Sequence, residues 1–253
     1  METVTHHGRS TAYRHPGDGE ATVLYVHGSG GTHRVWAAQY GRQDGSRVAL
    51  DLSGHGESDD VDAEPGSEAL DAYADDVVAV ARETGASVLV GNSLGGAVVQ
   101  HVALERDLPL SGLVLADTGA KLGVADPLKE WLETDWDRAV EFLHGEDMLF
   151  HDPDPSDVER SKATMRGTGR EVTERDFLTC DRFDVRDRLG EIAVPALCVH
   201  GEHDRLTPPA FHEYLAEHLP DAELVEIADA AHLPFVERPE AFDAAVTAFV
   251  EDL

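Results

Sequence analysis

Lysine is almost missing from this chain. Among 253 residues there are three, Lys121, Lys129 and Lys162, and arginine supplies the rest of the 20 basic residues. Fifty acidic residues oppose them, for a net charge of −30. Binding to phosphate backbones needs basic patches, so nucleic acid is excluded as an expected partner. Long apolar runs are also absent, which removes a membrane span and with it a membrane partner. The start, Met1-Glu2-Thr3-Val4, lacks the basic and apolar regions of a signal peptide, and a cytoplasmic protein is the expectation. Cysteine occurs twice, as Cys180 and Cys198, with neither a disulfide framework nor a metal-ligand spacing. No metal is expected, and both residues read as buried free thiols packed like small hydrophobes.

The acids are scattered along the chain rather than gathered in a tail, and 42% of residues are hydrophobic. That combination excludes a disordered acidic chain. At low salt such a charge repels itself and works against the compact state. At molar salt the screening length falls to about 3 Å. The expectation is therefore a surface of the halophilic kind, whose stability rises with ionic strength.

Hydrophobic runs alternate in type. Thr22 to Val26 and Arg47 to Leu50 read as short buried strands, followed by His27-Gly28-Ser29-Gly30-Gly31 and by Asp51-Leu52-Ser53-Gly54-His55-Gly56. Residues 68–83 place Leu70, Tyr73, Val77 and Val80 on one helical face, closed by Gly85. Ser87 to Val90 is a strand, 94–106 a helix, and Leu113 to Ala116 a strand. Pro195 to Val199, a helix near 209–218, Glu223 to Ile227 and a helix from Pro239 to Val250 continue the rhythm. Strands alternating with helices predict an α/β fold, a mostly parallel central sheet flanked by helices. From about Thr118 to Leu189 the rhythm stops. This stretch carries Trp131, Trp136, Phe142, Phe150, Phe177 and Phe183 and short helical patterns without a convincing strand. It reads as an insertion over the sheet's C-terminal edge.

One turn explains the rest. Gly91-Asn92-Ser93-Leu94-Gly95 joins a strand to a helix and fits the G-x-S-x-G nucleophile elbow. Small neighbours allow the strained turn that projects the serine hydroxyl, and the helix that starts at once aims the Leu94 amide at a developing oxyanion. A serine nucleophile needs a base, and the base an orienting carboxylate. His232 follows the last strand and Asp204 follows Pro195–Val199, giving the order Ser93, Asp204, His232. Asp117, after an earlier strand, and Glu202 are rival acids. His27 and His55 read as loop braces rather than chemical groups, and Asp51 as a tie between its loop and the core. His200, His203 and Asp204 lack the matching partner site that a metal reading would need.

These segments together, with Gly201-Glu202-His203-Asp204-Arg205 and Ala230-Ala231-His232-Leu233-Pro234, resemble the α/β-hydrolase superfamily from the first strand to the last helix. The resemblance implies a core of residues 1–118 and 191–253 and a helical cap of 119–190. It further implies an oxyanion hole from the Ser29 and Leu94 amides, with Gly28 and Gly30 permitting close approach and Gly30 as the alternative donor. The implied activity is cofactor-free hydrolysis of a small or medium carboxylic ester, a small-molecule acyl substrate, through an acyl-enzyme. Serine at the elbow sets the chain apart from haloalkane dehalogenases and epoxide hydrolases. The elbow is similar to that of carbon–carbon bond hydrolases, but those usually have a proline after the oxyanion glycines where this chain has Gly31-Thr32. Lactonase and haloperoxidase-like activities remain within the same fold, and a slow-turnover small-ligand receptor is the alternative from another class. Oligomeric state is left open.

Overall fold

A computed structural model describes residues 1–17, 22–41 and 47–253. Among these, eight strands form one sheet in the order β1-β2-β4-β3-β5-β6-β7-β8. They are β1 (Glu2–His6), β2 (Arg9–Arg14), β3 (Val23–Val26), β4 (Arg47–Leu50), β5 (Val88–Asn92), β6 (Gly112–Ala116), β7 (Ala196–Gly201) and β8 (Ala222–Ile227). The four strands after β3 in the spatial order, and β4 beside it, run parallel to it, whereas β1–β2 and β2–β4 are antiparallel. The β1–β2 hairpin is absent from the pattern reading above. Its outer strand is largely exposed, and its inner strand buries only Thr11, Ala12 and Tyr13, so it shows no long apolar run.

Helices cover both faces. They are α1 (Ala37–Tyr40), α2 (Ser67–Thr84), α3 (Leu94–Glu105), α4 (Asp126–Thr134), α5 (Trp136–Leu143), α6 (Pro155–Thr168), α7 (Arg170–Arg182), α8 (Pro209–His218), α9 (Pro234–Glu237) and α10 (Pro239–Glu251). Gly85 ends α2 in the left-handed region at φ 80°, where a side chain would be strained. Alternate residues of each central strand feed two cores. Leu24, Val26, Leu89 and Leu115 pack with Leu70, Tyr73, Val77 and Val80 of α2. Tyr25, Val90 and Val114 pack on the other face with Trp36, Phe235 and Phe242. Trp36 and Phe235 stack at 3.8 Å between ring centroids, pinning the segment after β8 against the loop after β3. Strands buried on both faces have no polar side, which is why they read as continuous apolar runs.

Helices α4 to α7 occupy the chain between β6 and β7, where the aromatic-rich insertion was expected. Aromatics there divide by role. Phe142, Phe150 and Phe177 line a cavity above the sheet, while Phe183 packs into the core. No helix among the described residues is long and apolar enough to cross a membrane.

Candidate active site

Ser93 sits between β5 and α3 at φ 54° and ψ −116°, a conformation that a non-glycine residue adopts only under constraint. The constraint comes from its surroundings. The Ser93 amide donates to the Ala116 carbonyl at 3.0 Å, and the Thr118 hydroxyl donates to the Ser93 carbonyl at 2.9 Å. The flanking glycines leave no alternative. A Cβ on Gly91 would collide with the Gly95 carbonyl, and one on Gly95 would collide with the Val26 and His27 carbonyls. The turn thus packs backbone against backbone on both sides of the serine. The first N–H groups of α3 lack intrahelical partners, and Leu94 is its first residue.

His232 lies in the turn after β8, and Asn92 Nδ2 donates to its carbonyl at 3.2 Å, tying the elbow to the histidine loop. His232 Nδ1 is 2.9 Å from Asp204 Oδ2. Asp204 is itself fixed: Oδ1 accepts the Leu206 and Thr207 amides at 2.8 and 3.0 Å, and Oδ2 accepts the Thr207 hydroxyl at 2.6 Å. Burial opposes ionisation of this carboxyl, but the His232 charge and these donors outweigh it and hold its pKa below the ordinary carboxylate value. Ser93 and His232 open together onto one cavity of about 1090 Å³. Its wall is mostly apolar, with Leu128, Phe142, Phe150, Met165 and Phe177 from the inserted helices.

Of the rival acids, Asp117 lies beside Asp204 and His232, and Glu202 is engaged elsewhere. Glu202 accepts the Asp229 amide at the surface. Asp117 is fully buried at φ 45°, with Oδ1 accepting the Gly201 amide at 3.0 Å and Oδ2 meeting no donor group among the described residues. Asp117, Asp204 and His232 bring their polar atoms within 4.8 Å of one another. Burial first, and then the Asp204 charge, push the Asp117 pKa well above the carboxylate range, so it favours the neutral form. A neutral Asp117 adds no second negative charge beside the histidine. Asp117→Asn should therefore retain activity within about tenfold, since asparagine keeps the acceptor for Gly201 and supplies an N–H where the acid carries its proton. The sign of its stability effect follows. An acid whose pKa is raised on folding costs the native state more as pH rises from about 4 through the folded value. The melting temperature of Asp117→Asn should gain on that of the parent protein from pH 5 to pH 9. A crippled Asp117→Asn beside a mild Asp204→Asn would move the acid to the earlier strand.

The loop expected to supply the oxyanion hole follows β3. His27 braces it as expected, with Nδ1 2.8 Å from the Gly28 carbonyl and Nε2 accepting the Leu52 amide at 3.1 Å. Burial holds the His27 pKa down to about 4, so the ring is neutral and can accept. Asp51 ties its loop as expected, accepting the His33 and Glu57 amides. Gly28 lies so close to the elbow that a Cβ would come within 3.1 Å of the Ser93 Cβ. Ser29 lines the cavity, with Oγ 3.8 Å from the Cys180 sulfur. Burial pushes the Cys180 thiol up to about 12. Gly30 departs from its expected role as alternative donor. Its amide donates to Asp176 Oδ2 at 2.9 Å and is spoken for. As for metals, Glu202, His203 and Asp229 also bring donor atoms within 4.8 Å, at the surface and away from Ser93.

The family model described as alpha/beta hydrolase family matches residues 23–245. The chain belongs to that family. A pimeloyl-[acyl-carrier protein] methyl ester esterase of Neisseria meningitidis (serogroup C) is 31% identical over 199 residues, covering 72% of this chain and 74% of its own. A thermophilic esterase of solved structure is 32% identical, with a TM-score of 0.89 over 99% of this chain and 97% of that one. An N-acyl homoserine lactone degrading enzyme is 26% identical, with a TM-score of 0.86 over 98% and 100%. The protein is a serine ester hydrolase of the α/β class.

Proposed function

We propose that this hydrolase cleaves medium-length, largely apolar acyl esters by a Ser93–His232–Asp204 triad, with residues 119–190 as a cap over a core of 1–118 and 191–253. The observation that carries the reading is the shared cavity: Ser93 and His232 both line it, together with apolar side chains of the inserted helices. Ser93 Oγ adds to the ester carbonyl while His232 takes its proton. Asp204 holds Nδ1 protonated, so the free Nε2 is the base. Charge gathers on the carbonyl oxygen, where the Ser29 and Leu94 amides meet it. Collapse expels the alcohol, which receives the proton from His232. Water then repeats the sequence on the acyl-enzyme and frees the acid. No step calls for a cofactor.

A series of p-nitrophenyl esters from acetate to dodecanoate, with a methyl ester and an N-acyl homoserine lactone beside it, tests the reading. Turnover that peaks at medium chain length supports it. Turnover confined to acetate overturns it in favour of a short-chain esterase, and single-turnover behaviour on every ester overturns it in favour of a receptor. The lactone arm is included because of the likeness to the lactone-degrading enzyme.

The acidic surface belongs to the same proposal, as a fit to a salt-rich cytoplasm. Repulsions among 50 acidic residues against 20 basic ones act together on a net stability of about 5–15 kcal/mol. The melting temperature should climb by about 10 °C or more between 0.1 and 2 M potassium chloride, as screening shortens the reach of each repulsion. A melting temperature unchanged across that range would leave solubility as the use of the acidity.

A further inference from the structure

The loop that follows β3 is not held by the sheet alone. The Gly31 amide donates to the Gly28 carbonyl at 3.1 Å, and Gly30, third in this turn, has φ 66°. Ser29 is not among the residues of positive φ, so the turn is of type II. In such a turn the central peptide, Ser29–Gly30, can flip to the type I arrangement, which reverses the Ser29 carbonyl and the Gly30 N–H; the Ser29 N–H lies in the preceding peptide and keeps its place only while the turn as a whole keeps its own. What opposes the flip here comes from the inserted helices. Asp176 on α7 accepts the Gly30 amide at 2.9 Å, and the Thr168 hydroxyl at the end of α6 donates to the Gly30 carbonyl at 3.1 Å. Both polar groups of one glycine are thus held by a segment 138 and 146 residues further along the chain. Space is equally tight: a Cβ on Gly30 would lie 3.0 Å from Thr173 Oγ1 and 3.1 Å from Met165 Cγ.

Asp176 has the surroundings of a fixed charge. It is fully buried, and α7 is otherwise a polar helix. Oδ1 accepts the Tyr73 hydroxyl from α2 at 2.7 Å, and Oδ2 lies 2.9 Å from His55 Nε2 as well as accepting Gly30. The His55 Nδ1 faces the Ser53 carbonyl at 3.1 Å, and its ring lies 4.7 Å from that of His27. Arg175, beside Asp176, turns away to Asp60 and the Tyr73 hydroxyl. Burial works against a charge on either member of the His55–Asp176 pair, yet each raises the other's preference for the charged form, and that mutual effect prevails. A charge-assisted acceptor is about twice as strong as a neutral one, so the Gly30 amide is held more firmly than by a carbonyl.

We infer that Asp176 is a positioning residue for the oxyanion hole: carried by the inserted helices, it anchors Gly30 and so holds the turn on which the Ser29 N–H stands in place against the elbow. The inference rests on the proposed role of that amide. It also gives the inserted helices a part in rate as well as in substrate fit, because Phe177 and Cys180, on the same helix as Asp176, line the cavity.

The test compares Asp176→Asn and Asp176→Ala with Tyr73→Phe, which removes a bond to the same carboxylate but leaves Gly30 held. Each is assayed for kcat, KM, melting temperature and the affinity of a trifluoromethyl ketone, whose adduct with the serine places an oxyanion in the hole. The Asp176 variants should lose about 10- to 100-fold in kcat, the scale of a misplaced catalytic group. They should lose a similar factor in affinity for the ketone, with KM within about twofold. Tyr73→Phe should lose melting temperature and keep both kcat and ketone affinity. Should alanine prevent folding, Asp176→Asn, which keeps the shape, gives the same readings. Parental kcat and ketone affinity in a folded Asp176 variant overturn the inference. So does a kcat loss in Tyr73→Phe matching that of the Asp176 variants, which marks plain structural support. If the parent protein itself fails to bind the ketone and Ser93 resists fluorophosphonate, the hole and triad fail with it.

Discussion

Ser93→Ala is expected to lower turnover on the best ester by on the order of 10⁶-fold, the scale seen when a serine hydrolase loses its nucleophile. The fold should survive the change. Ser93 contributes to its turn through its backbone amide and carbonyl, and its side chain makes no cap bond to α3. The unusual φ is already enforced by the packing of Gly91 and Gly95 against neighbouring carbonyls. Alanine has a Cβ like serine and meets no new neighbour. A fluorophosphonate probe, which labels activated serines, gives the second reading. The parent protein should label once per chain and Ser93→Ala not at all. Labelling that persists in Ser93→Ala would place the nucleophile on another residue.

Asp204→Asn should be the next most damaging change, costing on the order of 10⁴-fold in kcat with little loss of structure. The bonds around the carboxylate dictate how asparagine sits. Two backbone amides, of Leu206 and Thr207, require an acceptor at Oδ1. The amide nitrogen then takes the place of Oδ2 and meets His232 Nδ1 with an N–H. Nδ1 must become the acceptor and Nε2 carries the proton, which is the wrong tautomer for taking one from Ser93. The acid limb of the parent's stability profile follows from the same contacts. A carboxyl whose pKa is lowered on folding contributes stability above its unfolded value near 4, and loses it as pH falls through the folded value. Asp204→Asn should show a flatter decline in melting temperature between pH 5 and pH 3. An Asp204→Asn enzyme within tenfold of the parent would remove Asp204 from the triad.

Much of this site can be read from sequence because its chemistry demands unusual residues at fixed places. Gly91, Ser93 and Gly95 stand together since two backbones touch there, and no substitution preserves that contact. The parallel strands were legible for a related reason: buried on both faces, each is a short run of apolar residues between turn signals. The β1–β2 hairpin lacked that signal, since β1 is an exposed edge strand and β2 buries only Thr11, Ala12 and Tyr13 between polar ends. Asp176 was missed for the opposite reason. In a chain with 50 acids, one more on a polar helix attracts no notice. A signal existed nonetheless. Thr173, Asp176, Thr179, Cys180 and Phe183 follow helical spacing and are all buried, so the acid interrupts an inward stripe. Gly30 was misjudged as a spare donor because hydrogen bonds from distant segments leave no local trace.

The wall of the cavity also bears on which reagents the enzyme can meet unharmed. Cys180 reaches the cavity beside Ser29, yet burial keeps its sulfur protonated at neutral pH. Alkylation proceeds through the thiolate. Esters with an activated double bond, such as acrylates or maleates, can therefore dwell next to this sulfur without being captured by it. The protein should need no reducing agent to stay active, and an hour with iodoacetamide at pH 7 should leave its turnover intact. The same sulfur would become a liability in strongly alkaline solution, where its proton is lost and the binding chamber acquires a second nucleophile.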